Sequence, residues 1–147
     1  MESRAVDEGW EDRWREFHRG VVIGRFWVGP PWEEATAGAE AIVIDPGRAF
    51  GTGAHPTTRL TLELLQELQP ASLLDVGCGS GVLAIAAVKL GFTPVAGIDI
   101  DETAVEVTLA NAQVNGVQVD ARRCDALRDE LPDTEVAVAN VDRKSVV

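Results

Sequence analysis

Leu73-Leu74-Asp75-Val76-Gly77-Cys78-Gly79-Ser80-Gly81 is the stretch whose reading decides the fold. An apolar run reaches an acidic residue and then three glycines at alternate positions, and a helix-forming run, Val82 to Leu90, follows at once. A missing Cβ at each glycine lets the backbone turn sharply and lets a ligand lie directly on main-chain N–H groups. The spacing is Gly-x-Gly-x-Gly; a dinucleotide site wants its third glycine one position later, where Val82 stands.

Working outward, the pattern is regular from position 56 onward. Pro56, Thr57 and Thr58 open a helix to about position 68, with Leu60, Leu64, Leu65 and Leu68 as its apolar stripe. A strand is predicted over 72–76, a helix over 80–90 stopped by Gly91, and a strand over 94–99. Asp101 caps a helix of about 102–114, which Asn115-Gly116 ends. A strand over 117–123, a helical turn near 125–130 and a strand over 135–139 complete the series. Alternation of this kind predicts an α/β fold with a doubly wound, mostly parallel sheet. Its ligand belongs at the carboxyl ends of the strands, near the switch point.

Three strand ends then converge. Gly77, Gly79 and Gly81 follow the first parallel strand, behind Asp75. Asp99 ends the second, 22 residues after Gly77. Its two oxygens match the vicinal diol of a ribose, and Ile100 beside it suits an adenine face. Asp125 follows the third strand and suits the adenine amino group. Each carboxylate alone could merely cap the next helix. Together with the glycine spacing they point to S-adenosyl-L-methionine (SAM) as cofactor.

Upstream lies Phe50-Gly51-Thr52-Gly53-Ala54-His55-Pro56-Thr57-Thr58. Its threonines cap the helix that starts there, or the segment covers the methionine end of the cofactor with Thr58 bonding to it. His55 directly precedes proline in a tight loop and is a poor general base. Before this segment, Val21-Val22-Ile23 and Phe26-Trp27-Val28 read as strands around Gly24-Arg25, and 41–44 as a third. All four tryptophans lie within the first 32 positions. Trp10, Trp14 and Phe17 fall on one face of a short helix, which either packs on the domain or docks a partner. Residues 1–40 thus read as a linker-like segment and 41–147 as a partial cofactor domain.

The 147 residues fit one domain, and with 46% of them apolar the chain is globular. Thirteen Lys and Arg against 24 Asp and Glu leave a net charge of −11, which argues against direct nucleic-acid binding. Cys78 and Cys124 form neither a disulfide framework nor a metal spacing. No apolar run approaches the roughly 20 residues that span a bilayer, and no signal peptide opens the chain. A cytoplasmic protein without membrane contact is expected.

The run from Asp45 through Phe50 and His55 to Thr58, taken with the Asp75–Gly81 loop, closely resembles the ribosomal protein L11 methyltransferase family. Val138-Ala139-Asn140-Val141 resembles that family's fourth motif, an asparagine ending the fourth strand. The resemblance covers about residues 10–141 and implies a class I SAM-dependent methyltransferase of Rossmann-like fold. By resemblance, Phe50, Thr52, Thr58, Gly77, Asp99 and Asn140 lie at the cofactor or its immediate surroundings. The implied substrate is an amino group of a ribosomal protein, and Asn140 is the residue expected to orient that amine. A SAM-binding but catalytically silent module, or a methyltransferase for another small-molecule or protein amine, are the alternatives.

Three departures accompany the resemblance. The resemblance implies an N-terminal substrate-recognition domain and three strands after the fourth, and residues 1–147 are expected to hold neither. Asn140-Val141-Asp142-Arg143 is more polar than expected after the asparagine. A chain shortened at both ends would leave its fourth strand as an exposed edge, through which a homodimer is expected.

Overall fold

The computed structural model describes residues 19–45 and 56–139. Among these, two sheets enclose a layer of helix. β1 (Val21–Ile23) and β2 (Phe26–Gly29) form an antiparallel hairpin across Gly24-Arg25, where Gly24 takes φ +61°. β3 (Glu40–Val43) adds to β2 in parallel, Phe26 opposite Glu40 and Gly29 opposite Val43. The second sheet comprises β4 (Leu73–Val76), β5 (Val95–Asp99), β6 (Asp120–Arg123) and β7 (Val136–Ala139), in the order β6-β5-β4-β7. All three of its pairings are parallel. The chain moves outward from β4 to β5 to β6, then crosses back to lay β7 on the other side of β4. That reversal puts the switch point at the carboxyl end of β4, where the glycine loop begins.

Three helices connect these strands: α1 (Pro56–Leu65), α2 (Val82–Lys89) and α3 (Glu102–Val114). α2 has a sequence, VLAIAAVK, that is apolar all round. A helix without a polar face must be covered on every side, and this one is. Residues 82–87 are all buried, in one core cluster with Ile23, Phe26, Val28 and Ile42 of the small sheet and Leu73 and Val95 of the parallel sheet. α3 is bounded as its caps dictate: the Asp101 carboxylate accepts the Thr103 N–H at 2.9 Å, and Gly116 at φ +67° ends it.

The parallel α/β architecture agrees with the sequence reading, and the boundaries move by a few residues. β6 is shorter than expected, Asp120–Arg123 in place of 117–123. The stripe assigned to α1 is corrected. Leu60, Leu64 and Leu68 are 46–61% exposed, whereas Thr58, Leu62 and Leu65 face the core. So many leucines in this helix offer two stripes with helical spacing, and packing against α2 and the small sheet selects the one that carries Thr58. Trp27 is buried and Trp32 is exposed. Trp10, Trp14 and Phe17 lie outside the described residues, as do Phe50, Thr52, His55 and Asn140. β7 pairs only with β4 among the described residues. No helix among them is long and apolar enough to cross a membrane.

Candidate functional site

The site begins where β4 stops. Gly77, Gly79 and Gly81 take φ values of +75°, +54° and +87°, a left-handed backbone that a side chain would strain. The turn they make is locked from inside. The N–H groups of Gly77 and Cys78 both donate to Ile98 O, at 2.8 and 3.0 Å, which fastens the loop to the end of β5. Gly81 N–H donates to Cys78 O at 2.7 Å and opens α2. Gly81 also admits α3: a Cβ there would stand 3.0 Å from Thr108 Cγ2 and 3.2 Å from its Cα.

Asp99, half-buried at the end of β5, joins this loop directly. Its Oδ2 accepts the Gly79 N–H at 3.1 Å and its Oδ1 accepts the Asp101 N–H at 2.9 Å. An ionised carboxylate has about four acceptor sites, so both oxygens retain capacity for a diol. Ile100 follows with its side chain 61% exposed, and its carbonyl accepts from Arg123 Nε at 3.1 Å. The strand end beyond β6 is tied in by Cys124 N–H, which donates to Asp99 O at 3.0 Å. Asp125 comes next. Its Oδ1 accepts the Leu127 N–H at 3.0 Å, and Arg128 Nε stands 3.9 Å from Oδ2. The structure therefore brings Gly77, Gly79, Gly81, Asp99, Ile100 and Asp125 to one end of the sheet, and Asp125 also stabilises its own turn.

Asp75 differs from the other acids. It is buried on β4, and neither carboxylate oxygen has a hydrogen-bond partner among the described residues. Burial pushes its pKa from 3.8 to about 7; the Ala84 N–H lowers it without closing a standard hydrogen bond, and the Asp99 charge raises it further. Cys78 is similarly shielded. Burial drives its thiol to about 12 despite the lowering contact with Thr108, and the carboxylates of Asp75 and Asp99 add to the rise.

Composition and periodicity missed the support beneath the loop. Thr108, Asn111 and Asn115 lie at i, i+3 and i+7 along α3 and its C-cap, the spacing of one helix face. Thr108 Oγ1 donates to Gly79 O at 3.0 Å, and Asn111 Nδ2 donates to Ser80 O at 2.8 Å. Asn115 exchanges two bonds of 2.8 Å with the N–H and carbonyl of Val43 on β3. The available signal was polar residues in mid-helix at positions where an apolar face is expected. Groups of His, Cys, Asp and Glu able to hold a metal ion are absent among the described residues.

A family model described as "Ribosomal protein L11 methyltransferase (PrmA)" matches residues 2–144. The chain is 40% identical over 151 residues to the ribosomal protein L11 methyltransferase of Caldanaerobacter subterraneus subsp. tengcongensis, covering 99% of this chain and 49% of that protein. It is 49% identical over 120 residues to the protein of the same name from Shewanella sediminis, covering 79% and 41%. The chain thus spans about half the length of the curated relatives it matches. The crystal structure of a ribosomal protein L11 methylase from Lactobacillus delbrueckii subsp. bulgaricus gives a TM-score of 0.76 at 32% identity, covering 87% of this chain and 69% of that one. A Pyrococcus abyssi tRNA (uracil-54, C5)-methyltransferase, solved with S-adenosyl-L-homocysteine, shares the fold at 18% identity and a TM-score of 0.59, covering 80% of this chain and 34% of that one.

Proposed function

The chain belongs to the ribosomal protein L11 methyltransferase family, and from that premise we propose that it binds SAM at the loop after β4 and methylates an amine of a ribosomal protein. One observation carries the cofactor reading. Three left-handed glycines at the switch point meet a strand-end carboxylate, with Gly79 N–H 3.1 Å from Asp99 Oδ2. That junction offers backbone with little side-chain bulk for a nucleoside to lie against, and acceptors for its hydroxyls.

The residues present fit such a ligand. Asp75 is a buried carboxylate with neither oxygen paired among the described residues, and a ligand bearing an ammonium and a sulfonium supplies the missing positive charge. In this reading Asp99 takes the ribose hydroxyls, Ile100 lies against the adenine, and Asp125 uses its spare oxygen on the adenine amino group. Phe50, Thr52 and Thr58 serve the methionine end.

When bound, SAM supplies a methyl group that is already activated, so the chain's own task is alignment and exclusion of water. Asn140 orients the incoming amine, because its carbonyl accepts a hydrogen bond from nitrogen without adding charge. The amine must be neutral to attack, and neutral lysine is scarce at pH 7. Its proton leaves to water or to the carboxylates at the strand ends. The reaction belongs in the cytoplasm, with the ribosomal protein as sole macromolecular substrate and no direct nucleic-acid contact. A second copy would meet the first along the outer edge of β7.

Calorimetric titration with S-adenosylhomocysteine tests the cofactor assignment, and methyl transfer to ribosomal protein L11 tests the activity. Asn140→Ala should cut turnover and leave S-adenosylhomocysteine affinity within about threefold, less than ~1 kcal/mol. Equal loss of both would make Asn140 a cofactor-holding residue only. Binding without any transfer would reduce the chain to a SAM-binding module.

A further inference from the structure

We propose that Thr108 and Asn111 are positioning residues for the cofactor loop, setting the orientation of the peptide groups that the ligand meets; the inference rests on the SAM reading above. Thr108 is fully buried and Asn111 is 4% exposed. Polar side chains so placed are costly unless their groups are met, and an apolar pair would fill the same space. Here the bonds go to the loop: Thr108 Oγ1 to Gly79 O at 3.0 Å, Asn111 Nδ2 to Ser80 O at 2.8 Å. Thr108 Oγ1 also lies 3.3 Å from Cys78 Sγ, and Asn111 Oδ1 accepts the Asp45 N–H at 3.5 Å.

The consequence follows from peptide planarity. A trans peptide holds its N–H opposite its carbonyl. Drawing Gly79 O toward α3 turns the Ser80 N–H away from α3. Drawing Ser80 O the same way leaves the Gly81 N–H to close on Cys78 O at 2.7 Å. Two consecutive peptides of a glycine-rich turn would otherwise be free to flip, since glycine offers little steric resistance. The helix thereby fixes which way a loop of intrinsically soft backbone faces.

The test separates the hydroxyl from the volume it occupies. Thr108→Val keeps the shape and deletes the donor; Thr108→Ser keeps the donor and deletes a methyl. If Thr108 merely fills space, valine is the better tolerated of the two. If its hydroxyl aims the loop, titration of the full chain with S-adenosylhomocysteine should show Thr108→Val weakened about tenfold and Thr108→Ser by about twofold. Asn111→Asp, which puts an acceptor against Ser80 O, should behave like Thr108→Val and serves if that variant does not fold. Without ligand, the amide resonances of Ser80 and Gly81 should move in Thr108→Val and stay near wild type in Thr108→Ser. Thr108→Val binding like wild type, or Thr108→Ser losing as much as valine, would overturn the inference. A wild-type chain that does not bind S-adenosylhomocysteine overturns the cofactor reading instead, and the amide comparison then still decides what holds the loop.

Discussion

Replacing Asp75 with asparagine should change how the stability of this protein depends on pH. The carboxyl group is buried without a partner among the described residues, and burial raises its pKa from 3.8 to about 7. Below pH 3.8 both the native and the unfolded chain hold the proton, and Asp75 contributes no slope. Between there and about pH 7 the unfolded chain has released it while the native protein retains it. Native stability therefore falls as pH rises through this window, by ~1.4 kcal/mol per pH unit and by roughly 4 kcal/mol in all. Above about pH 7 both forms are ionised and the deficit is constant. Against a typical total of about 5–15 kcal/mol, this is a large fraction.

The substituted side chain keeps the shape of the carboxyl and cannot ionise. Its amide adds donors that need partners, which costs ~1–3 kcal/mol, but the cost is the same at every pH. The informative quantity is thus the variant-minus-wild-type difference in unfolding free energy. It should climb in favour of Asp75→Asn between about pH 4 and pH 8, reading by up to roughly 4 kcal/mol more at the upper end. Urea unfolding followed by tryptophan fluorescence, to which the buried Trp27 contributes, measures it, and subtraction removes the carboxylates common to both proteins. Parallel curves for the two proteins across that range would refute the argument.

If the proposed cofactor lies beside this carboxyl, its binding should be proton-linked. A cationic ligand beside Asp75 would lower its pKa, so SAM, which carries a sulfonium as well as an ammonium, should expel a fraction of a proton at about pH 7, seen as a dependence of calorimetric heat on buffer ionisation enthalpy; identical heats in phosphate and Tris would count against it. Gly81→Ala combines a left-handed φ of +87° with a Cβ 3.0 Å from Thr108 Cγ2 and should lower the urea midpoint by the equivalent of ~2 kcal/mol or more. A loss under about 0.5 kcal/mol would mean that the loop relaxes freely. Asn115→Ala removes both bonds to Val43 and should cost ~1–2 kcal/mol in urea unfolding, yet leave S-adenosylhomocysteine affinity unchanged within about twofold. A loss of affinity of about tenfold there would extend the positioning role to the whole face of α3.

The sequence carried the parallel sheet because each element had an explicit terminator. Asp101 and Asn115-Gly116 bounded α3 at the residues observed, and the glycines after Asp75 marked the end of β4. α1 shows where local pattern fails. Leu60, Leu62, Leu64, Leu65 and Leu68 satisfy two helical stripes, and only the neighbouring α2 and small sheet distinguish them. The parallel pairing of β2 with β3 was equally hidden, since residues 30–39 carry no helical signal for a crossover. At the site, the strand-end acids could be read because topology places strand ends together. The Thr108–Gly79 and Asn111–Ser80 bonds could not, because residues 29 and 31 positions apart meet only once α3 docks. Partner choice is a property of that docking and not of either segment alone.

The burial of α2 on all sides has an engineering corollary. A minimal unit cut from the parallel sheet alone, starting near residue 56, would strip the small sheet from one flank of this helix. Val82 to Ala87 include no charged or polar side chain to hold water at the exposed flank. Such an excised unit should self-associate on expression, and replacing the helix's uncovered positions with lysine or glutamate, rather than adjusting the glycine loop, is the modification that would restore solubility.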